Sequence, residues 1–158
     1  PTRRSSDLLW ICGNGEAKSQ INEAAYKDRR IIYYGNLDSN DLRKLYNKAY
    51  ALINPRPPVG EYTLYSFPSK IMEYLSTGVP TICYFLPGMP DEYKRFIFEI
   101  RELGIDGIYD SLKRFLNTEY DELLHIAKDA QNFLLQNKTE KRQVERIINL
   151  IWGRDGKQ

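Results

Sequence analysis

The stretch IIYYGNLDSNDLRKLYNKAYALINP, residues 31–55, reads as a strand, a helix and a second strand in direct succession. Its first five and last five residues are mostly apolar, as in strands that are buried on both faces. Asp38 or Ser39 can cap the helix between them. Two apolar strands joined by a helix predict a parallel crossover unit. The helix is predicted from four apolar residues that share one face: Leu42, Leu45, Tyr46 and Ala49.

The same alternation continues along the rest of the chain. Apolar runs at 8–13, 81–86 and 96–100 are predicted strands, and residues 67–77 form a predicted helix. From about Asp106 onward the pattern is helical. The sequence therefore predicts an α/β fold, with a Rossmann-like parallel sheet, helices on both of its faces and a helical C-terminal part.

Length and composition limit the class of protein. With 158 residues, of which 42% are hydrophobic, the chain is expected to form one domain spanning residues 1–158. The net charge is only +2 and no run of like charges occurs, so no nucleic-acid partner is expected. No apolar stretch reaches the ~18–20 residues that a membrane-spanning helix needs.

The two cysteines bear on the cellular compartment. Cys12 and Cys83 both lie in apolar runs that resemble buried strands, and neither belongs to a CxxC pair or a histidine cluster. We therefore expect two buried, reduced thiols and a cytoplasmic protein.

Loops at the carboxyl ends of parallel strands are the candidate binding sites, because ligands bind at that edge of such sheets. One loop stands out, since its 11 residues, from Arg56 to Ser66, exceed the roughly 2–6 residues typical of these connections. Long loops at this edge commonly serve binding. Four loops follow the predicted strands: Gly13-Asn14-Gly15, Gly35-Asn36-Leu37-Asp38, Pro55 to Ser66, and Pro87 to Pro90.

The helix after the long loop carries a cation where a cation is mildly unfavourable. Lys70 falls in its first turn, where the backbone N–H groups of Phe67, Ser69 and Lys70 already add partial positive charge, and Ser66 is the predicted cap. An anion held by these groups would explain Lys70. Glu73, one turn further, could then accept hydrogen bonds from two ribose hydroxyls, as in a nucleotide site. In the alternative interpretation, Lys70 and Glu73 are an exposed pair on a solvated helix face.

The order WICGNG, IIYYGNL, DLRKLYNKAYALINP, FPSKIMEYLSTGVPTI and LPGMPDEY resembles a known domain. It is similar to the C-terminal, nucleotide-sugar-binding domain of GT-B glycosyltransferases, specifically the retaining family 4. The resemblance covers residues 8 to about 95. Its FPSK form is similar to enzymes of bacterial capsule, lipopolysaccharide and exopolysaccharide biosynthesis.

The resemblance implies roles for two residues of a Glu-x7-Glu motif. Glu73 matches the second Glu, which in the family holds the ribose hydroxyls. The first Glu, which contacts the donor sugar, falls at Tyr65, so the chain departs from the pattern there. Sugar recognition is then expected at Tyr65, at Ser66 or at Glu61.

Two further segments match family loops. The segment 66–69, which reads Ser-Phe-Pro-Ser, matches the loop whose amides meet the diphosphate, with Lys70 as an added cation. Gly35, Asn36 and Leu37 match the loop that lines the base.

Family members begin this domain with an additional strand and helix, which carry an Arg and a Lys for the donor diphosphate. They also have an N-terminal domain that binds the acceptor. Neither part is recognisable in this sequence, so we expect the chain to belong to a longer enzyme, with Arg56 or Lys70 supplying some of the positive charge. Alone, it should bind donor weakly and catalyse little or nothing.

The function that the resemblance implies is transfer of a hexosyl unit, with retention, from a nucleotide-diphosphate sugar to a saccharide or lipid-linked saccharide acceptor. A UDP-sugar is the expected donor. No cofactor and no metal are expected, because helix amides and basic side chains would stabilise the leaving group. The resemblance also allows peripheral membrane association of the full enzyme.

Two other classes of protein stay open at this point. A nicotinamide- or flavin-binding Rossmann domain would use the Gly13-Asn14-Gly15 loop for pyrophosphate and Asp38 for ribose, but position 18 is Lys where the third glycine of that motif belongs. A non-catalytic carbohydrate- or protein-binding module of the same fold is favoured by Tyr65 in place of the motif Glu.

Overall fold

The computed structural model describes residues 8–65 and 67–152, and the chain divides after Tyr50 into two compact units. The first unit alternates strand and helix: β1 (Leu9–Cys12), α1 (Lys18–Lys27), β2 (Ile31–Gly35) and α2 (Ser39–Lys48). β1 and β2 pair in parallel, with Leu9 opposite Ile31. Both strands and the helix α2 lie where the sequence predicts them.

Asp38 caps α2. Its backbone is extended, and its Oδ1 accepts hydrogen bonds from the N–H groups of Asn40 and Asp41, both at 2.9 Å. A side-chain oxygen in this position satisfies two of the amides that a helix leaves without partners. Of the two predicted caps, Asp38 is therefore the one used, and Ser39 is the first residue of the helix.

The strands and helices of the second unit are β3 (Leu52–Asn54), α3 (Ser69–Thr77), β4 (Thr81–Cys83), β5 (Phe98–Glu99), α4 (Gly104–Leu116), α5 (Tyr120–Asn137) and α6 (Glu140–Ile151). Its three strands form a parallel sheet in the order β3-β4-β5. A short 3₁₀ helix, Glu61–Leu64, interrupts the connection between β3 and α3 (the β3–α3 loop, residues 55–68), and another, Asp91–Phe96, precedes β5.

The core of the second unit lies between its sheet and its helices. α3 contacts β3, β4 and α5, because its apolar face carries Ile71 and Leu75, which are almost fully buried. The largest of the other fully buried side chains are Thr63, Ile82, Cys83, Leu86, Ile100 and Phe115. The architecture is thus α/β, with parallel sheets flanked by helices and a helical C-terminal part, as the sequence predicts.

Three local predictions need correction. α3 begins at Ser69 and not at 67, since Pro68 is its extended N-cap. The predicted strands at 81–86 and 96–100 shorten to three and two residues. Cys12 is exposed, and only Cys83 is buried, because an apolar run predicts a strand but not which of its side chains are covered. Among the described residues, no helix is both long enough and apolar enough to cross a membrane.

Candidate functional site

The candidate site in the second unit lies where the β3–α3 loop enters α3. Pro68 caps this helix without a side-chain hydrogen bond, and its carbonyl accepts the N–H of Ile71 at 2.9 Å. Proline has no N–H group, so the amides of the first helical turn begin with that of Ser69. The amides at the N-terminal end of α3 therefore start at Ser69, whereas the sequence predicts a set that begins at Phe67.

Lys70 and Glu73 are brought together on the exposed face of α3. Their Nζ and Oε2 atoms lie 2.9 Å apart, and the side chains keep 46% and 45% of their accessible surface. An ion pair with this exposure contributes a few tenths of a kcal/mol to stability, because water solvates both charges. Each side chain can therefore leave this ion pair and bind a ligand at little cost in free energy.

The β3–α3 loop places three predicted residues on its outer surface. Arg56, Glu61 and Tyr65 are all exposed, and Tyr65 retains 82% of its surface. The Arg56 guanidinium lies 4.7 Å from the centre of the Tyr62 ring, a cation–π contact that holds the charge against the loop. These side chains are available to a ligand and are not used in packing the core.

Phe67 and Ser66 differ from the other residues of the predicted diphosphate loop. Ser66 lies outside the described residues, so its predicted roles as cap and ligand contact stay predictions. The Phe67 ring packs on the ring of Tyr93, with centres 4.6 Å apart. Burial raises the pKa of the Tyr93 phenol in this contact. Phe67 can therefore meet a ligand through its backbone, while its ring is engaged in packing.

One contact of this site was not predicted from the sequence. The N–H of Gly88, in the loop after β4, donates to the carbonyl of Thr63 at 2.9 Å, and Thr63 is only 2% exposed. The residues Pro87 to Pro90 were recognisable as a candidate loop, but nothing in the sequence indicates that this loop supports the β3–α3 loop. The pairing depends on the fold bringing residues 25 positions apart together.

In the first unit, the two loops after β1 and β2 are joined to each other. The Gly13 N–H donates to the Gly35 carbonyl at 2.7 Å, and the Tyr33 hydroxyl donates to the Gly13 carbonyl at the same distance. Both glycines have positive φ, of 130° and 64°, which explains the residue type. The neighbouring predicted contacts are open to solvent, since Asn14 and Asn36 are exposed and Leu37 is half-buried.

An open groove of about 670 Å³ lies elsewhere in the second unit, beside α5. Arg95, Asp129 and Phe133 are among its lining residues, and none of the predicted site residues lines it. Within residues 8–65 and 67–152, no three His, Cys, Asp or Glu side chains are close enough together to hold a metal ion. The expectation that the chemistry needs no metal stays a prediction.

The chain matches a known family of glycosyl transferases. The model of the family described as "Glycosyl transferases group 1" matches residues 2–118, which is most of the chain. A search of curated proteins finds no match.

Two solved structures have a similar fold. AviGT4, a glycosyltransferase involved in avilamycin A biosynthesis, superposes with a TM-score of 0.61 at 14% identity, over 92% of this chain and 43% of that one. WaaG, a glycosyltransferase involved in lipopolysaccharide biosynthesis, superposes with a TM-score of 0.59 at 15% identity, over 91% of this chain and 38% of that one. The chain thus spans less than half the length of either structure, and its fold is that of half of a GT-B enzyme.

Proposed function

The chain belongs to the family of group 1 glycosyl transferases, and on that premise we propose that it is the donor-binding part of a hexosyltransferase. The donor is a nucleotide-diphosphate sugar, with UDP as the proposed nucleotide, and the acceptor is a saccharide or lipid-linked saccharide. The proposed transfer retains the configuration of the anomeric carbon. Polysaccharide biosynthesis in the cytoplasm, with peripheral association of the full enzyme with a membrane, is the proposed setting.

The observation that carries this proposal is the placement of Lys70 and Glu73 beside the amides that open α3. The Lys70 ammonium lies at the N-terminus of α3, where the helix dipole adds partial positive charge, and this positive end is suited to a diphosphate. Glu73, one turn further along the same face, is suited to the two hydroxyls of a ribose, because a carboxylate only accepts hydrogen bonds. Phosphate at the helix end and ribose one turn deeper is the order of groups in a nucleotide.

Binding of the donor would separate the ion pair seen in the free chain. The Lys70 ammonium turns from Glu73 towards the diphosphate, and the Glu73 carboxylate accepts the ribose hydroxyls. Because the pair is half exposed, breaking it costs little. During transfer, negative charge develops on the departing diphosphate. Amides and an ammonium that are already oriented towards it stabilise that charge without reorganisation.

The proposed contacts outside this helix are assigned by family membership. Glu61 and Tyr65 are proposed to meet the donor sugar, and Arg56 to add positive charge for the diphosphate. For Gly35, Asn36 and Leu37, contact with the base stays a prediction, as does participation of Gly13 and Asn14. A nicotinamide site gains no support from the structure, because the Asp38 carboxylate that would bind ribose caps α2 instead.

The experiment that tests the proposed function is a comparison of UDP and uridine as ligands of the chain. We expect UDP to bind more tightly than uridine, with dissociation constants on the order of 0.1–1 mM, because only one side of the cleft is offered. Calorimetry or NMR titration at low ionic strength measures this range. Equal affinities for UDP and uridine, or no saturable binding of either, would overturn the proposal.

A further inference from the structure

We infer that Gly88 is a positioning residue for the donor sugar, acting through Thr63 on the segment 61–65. The inference rests on the proposed function, which assigns donor-sugar contact to Glu61 and Tyr65, and adds the device that holds these residues in place. Gly88 itself need not touch the sugar.

Gly88 is a glycine because two backbone segments meet there. Its N–H donates to the Thr63 carbonyl at 2.9 Å. A Cβ atom added at Gly88 would lie 2.8 Å from the Thr63 carbonyl oxygen and 2.9 Å from that of Leu64. Real Cβ atoms do not approach oxygen so closely, and a backbone oxygen cannot rotate away as the end of a side chain can. The position therefore excludes every residue larger than glycine unless the segment 61–65 moves.

Gly88 is followed by a buried residue and belongs to a hydrogen-bonded turn. The neighbouring Met89 N–H donates to the Leu86 carbonyl at 2.9 Å, and the side chains of both residues are at most 4% exposed. The loop after β4 is thus anchored in the core of the second unit. Through the Gly88 hydrogen bond, that anchor extends to the β3–α3 loop.

Thr63 is the residue of the β3–α3 loop that accepts the Gly88 hydrogen bond. Its side chain is buried, and its Oγ1 and N–H donate to the Gly60 carbonyl at 2.7 and 3.0 Å. Its neighbours face outwards: Tyr62 and Leu64 are each about half exposed, and Tyr65 is 82% exposed. One buried residue thus fixes a short helix whose other side chains are directed to solvent.

This arrangement separates two parts of donor recognition. The nucleotide contacts, Lys70 and Glu73, lie on α3, whose own buried face holds it on the sheet. The proposed sugar contacts lie on the segment that depends on Gly88. A segment that is ordered before binding loses less conformational entropy when the sugar binds. A change at Gly88 should therefore weaken recognition of the sugar and leave UDP binding unchanged.

The test compares Gly88→Ala, Thr63→Val and a matched control, Thr118→Val, with the unaltered chain. The Thr118 hydroxyl donates at 3.0 Å to the carbonyl of Arg114 in α4. The control therefore removes a hydrogen bond from a threonine hydroxyl to a backbone carbonyl, as Thr63→Val does, but away from the β3–α3 loop. NMR titrations use UDP, UDP-glucose, UDP-galactose and UDP-N-acetylglucosamine, and follow the amide signals of residues 61–65.

In the unaltered chain, at least one UDP-sugar should shift these signals beyond the shifts that UDP causes. Gly88→Ala should remove the additional shifts and weaken binding of that UDP-sugar about five- to tenfold, with UDP affinity unchanged. Thr63→Val should act in the same direction and Thr118→Val should have no effect. Thr63→Val also provides the test if Gly88→Ala does not fold.

Two results would overturn the inference alone. One is that UDP binds but none of the three UDP-sugars adds a shift at 61–65. The other is that a folded Gly88→Ala or Thr63→Val chain keeps the full sugar-dependent shifts. If UDP itself does not bind the unaltered chain, the proposed function fails, and the inference fails with it.

Discussion

Lys70 and Glu73 form an ion pair across one turn of α3, with Nζ and Oε2 2.9 Å apart. In the free chain each charge is thus partnered by the other, at the helix end where a lone cation would be repelled by the partial positive charge of the amides. The pair resolves that repulsion locally. It also leaves both groups half exposed, where a ligand can reach them.

Replacing Lys70 by alanine should reduce the preference of the chain for UDP over uridine by about tenfold, because a charge-assisted contact to phosphate is lost. Calorimetry with both ligands at low ionic strength measures the preference. The control is Arg142→Ala, since Arg142 pairs with Glu145 at 3.1 Å, three residues apart, in the first turn of α6. An unchanged preference in a folded Lys70→Ala chain would show that Lys70 is a surface residue.

Replacing Glu73 by glutamine should weaken UDP and uridine by the same factor, about tenfold, because the ribose is common to both and charged acceptors form the stronger hydrogen bonds. The free energy of unfolding should fall by less than about 0.5 kcal/mol, since the ion pair is solvated. Paired titrations and urea unfolding measure the two quantities, with Glu145→Gln as control. Loss of stability with unchanged binding would assign Glu73 a structural role.

The alternation of strands and helices was predictable because apolar periodicity reports local structure. The start of α3 shows where this stops. Pro68 fits the first turn of a helix as well as it fits an N-cap, and the extended conformation that proline favours in the residue before it places Phe67 outside the helix. The amides at the N-terminal end of α3 therefore start at Ser69, two residues later than predicted.

Contacts between distant segments were less accessible to sequence analysis. Lys70 and Glu73 could be paired because they are three residues apart on one helix. The support of Thr63 by Gly88 could not, because a glycine in a Pro-Gly-Met-Pro loop equally fits a simple turn. Its φ lies outside the left-handed region, so close approach and not conformational freedom explains the residue, and only the folded neighbours reveal that.

Replacing Asp38 by alanine should destabilise the first unit by about 0.5–2 kcal/mol, because two amides of α2 lose their acceptor. Asp38→Asn should retain most of the stability, since its amide oxygen can cap in the same way. Urea unfolding followed by circular dichroism measures both variants.

A nicotinamide site would use Asp38 for ribose, so NAD binding tests that alternative. NAD titrations of the unaltered chain, Asp38→Ala and Asp38→Asn should show no saturable binding. Binding of NAD that is lost in Asp38→Ala and kept in Glu73→Gln would contradict the proposed donor and favour a nicotinamide site.

Cys83 should make the second unit less stable at alkaline pH. Burial, together with the negative charge of Glu99, raises the pKa of the Cys83 thiol from 9.0 to about 12. Glu99 is the residue opposite Cys83 in β5. The folded state therefore keeps the thiol proton at a pH where the unfolded chain releases it. Stability is fully present below the unfolded pKa and is lost as pH rises towards the folded one.

The expected loss is about 1 kcal/mol between about pH 9 and pH 10, since each pH unit in this window contributes up to about 1.4 kcal/mol. Urea unfolding in the presence of a reductant measures it, and the comparison is with Cys83→Ala, whose stability should fall less steeply with pH. Cys12→Ser serves as the matched control, because Cys12 is exposed and its substitution should leave the steep dependence in place. Identical slopes for the unaltered chain and Cys83→Ala would mean that other groups cause the alkaline loss, and that the Cys83 thiol is reached by water in the folded state.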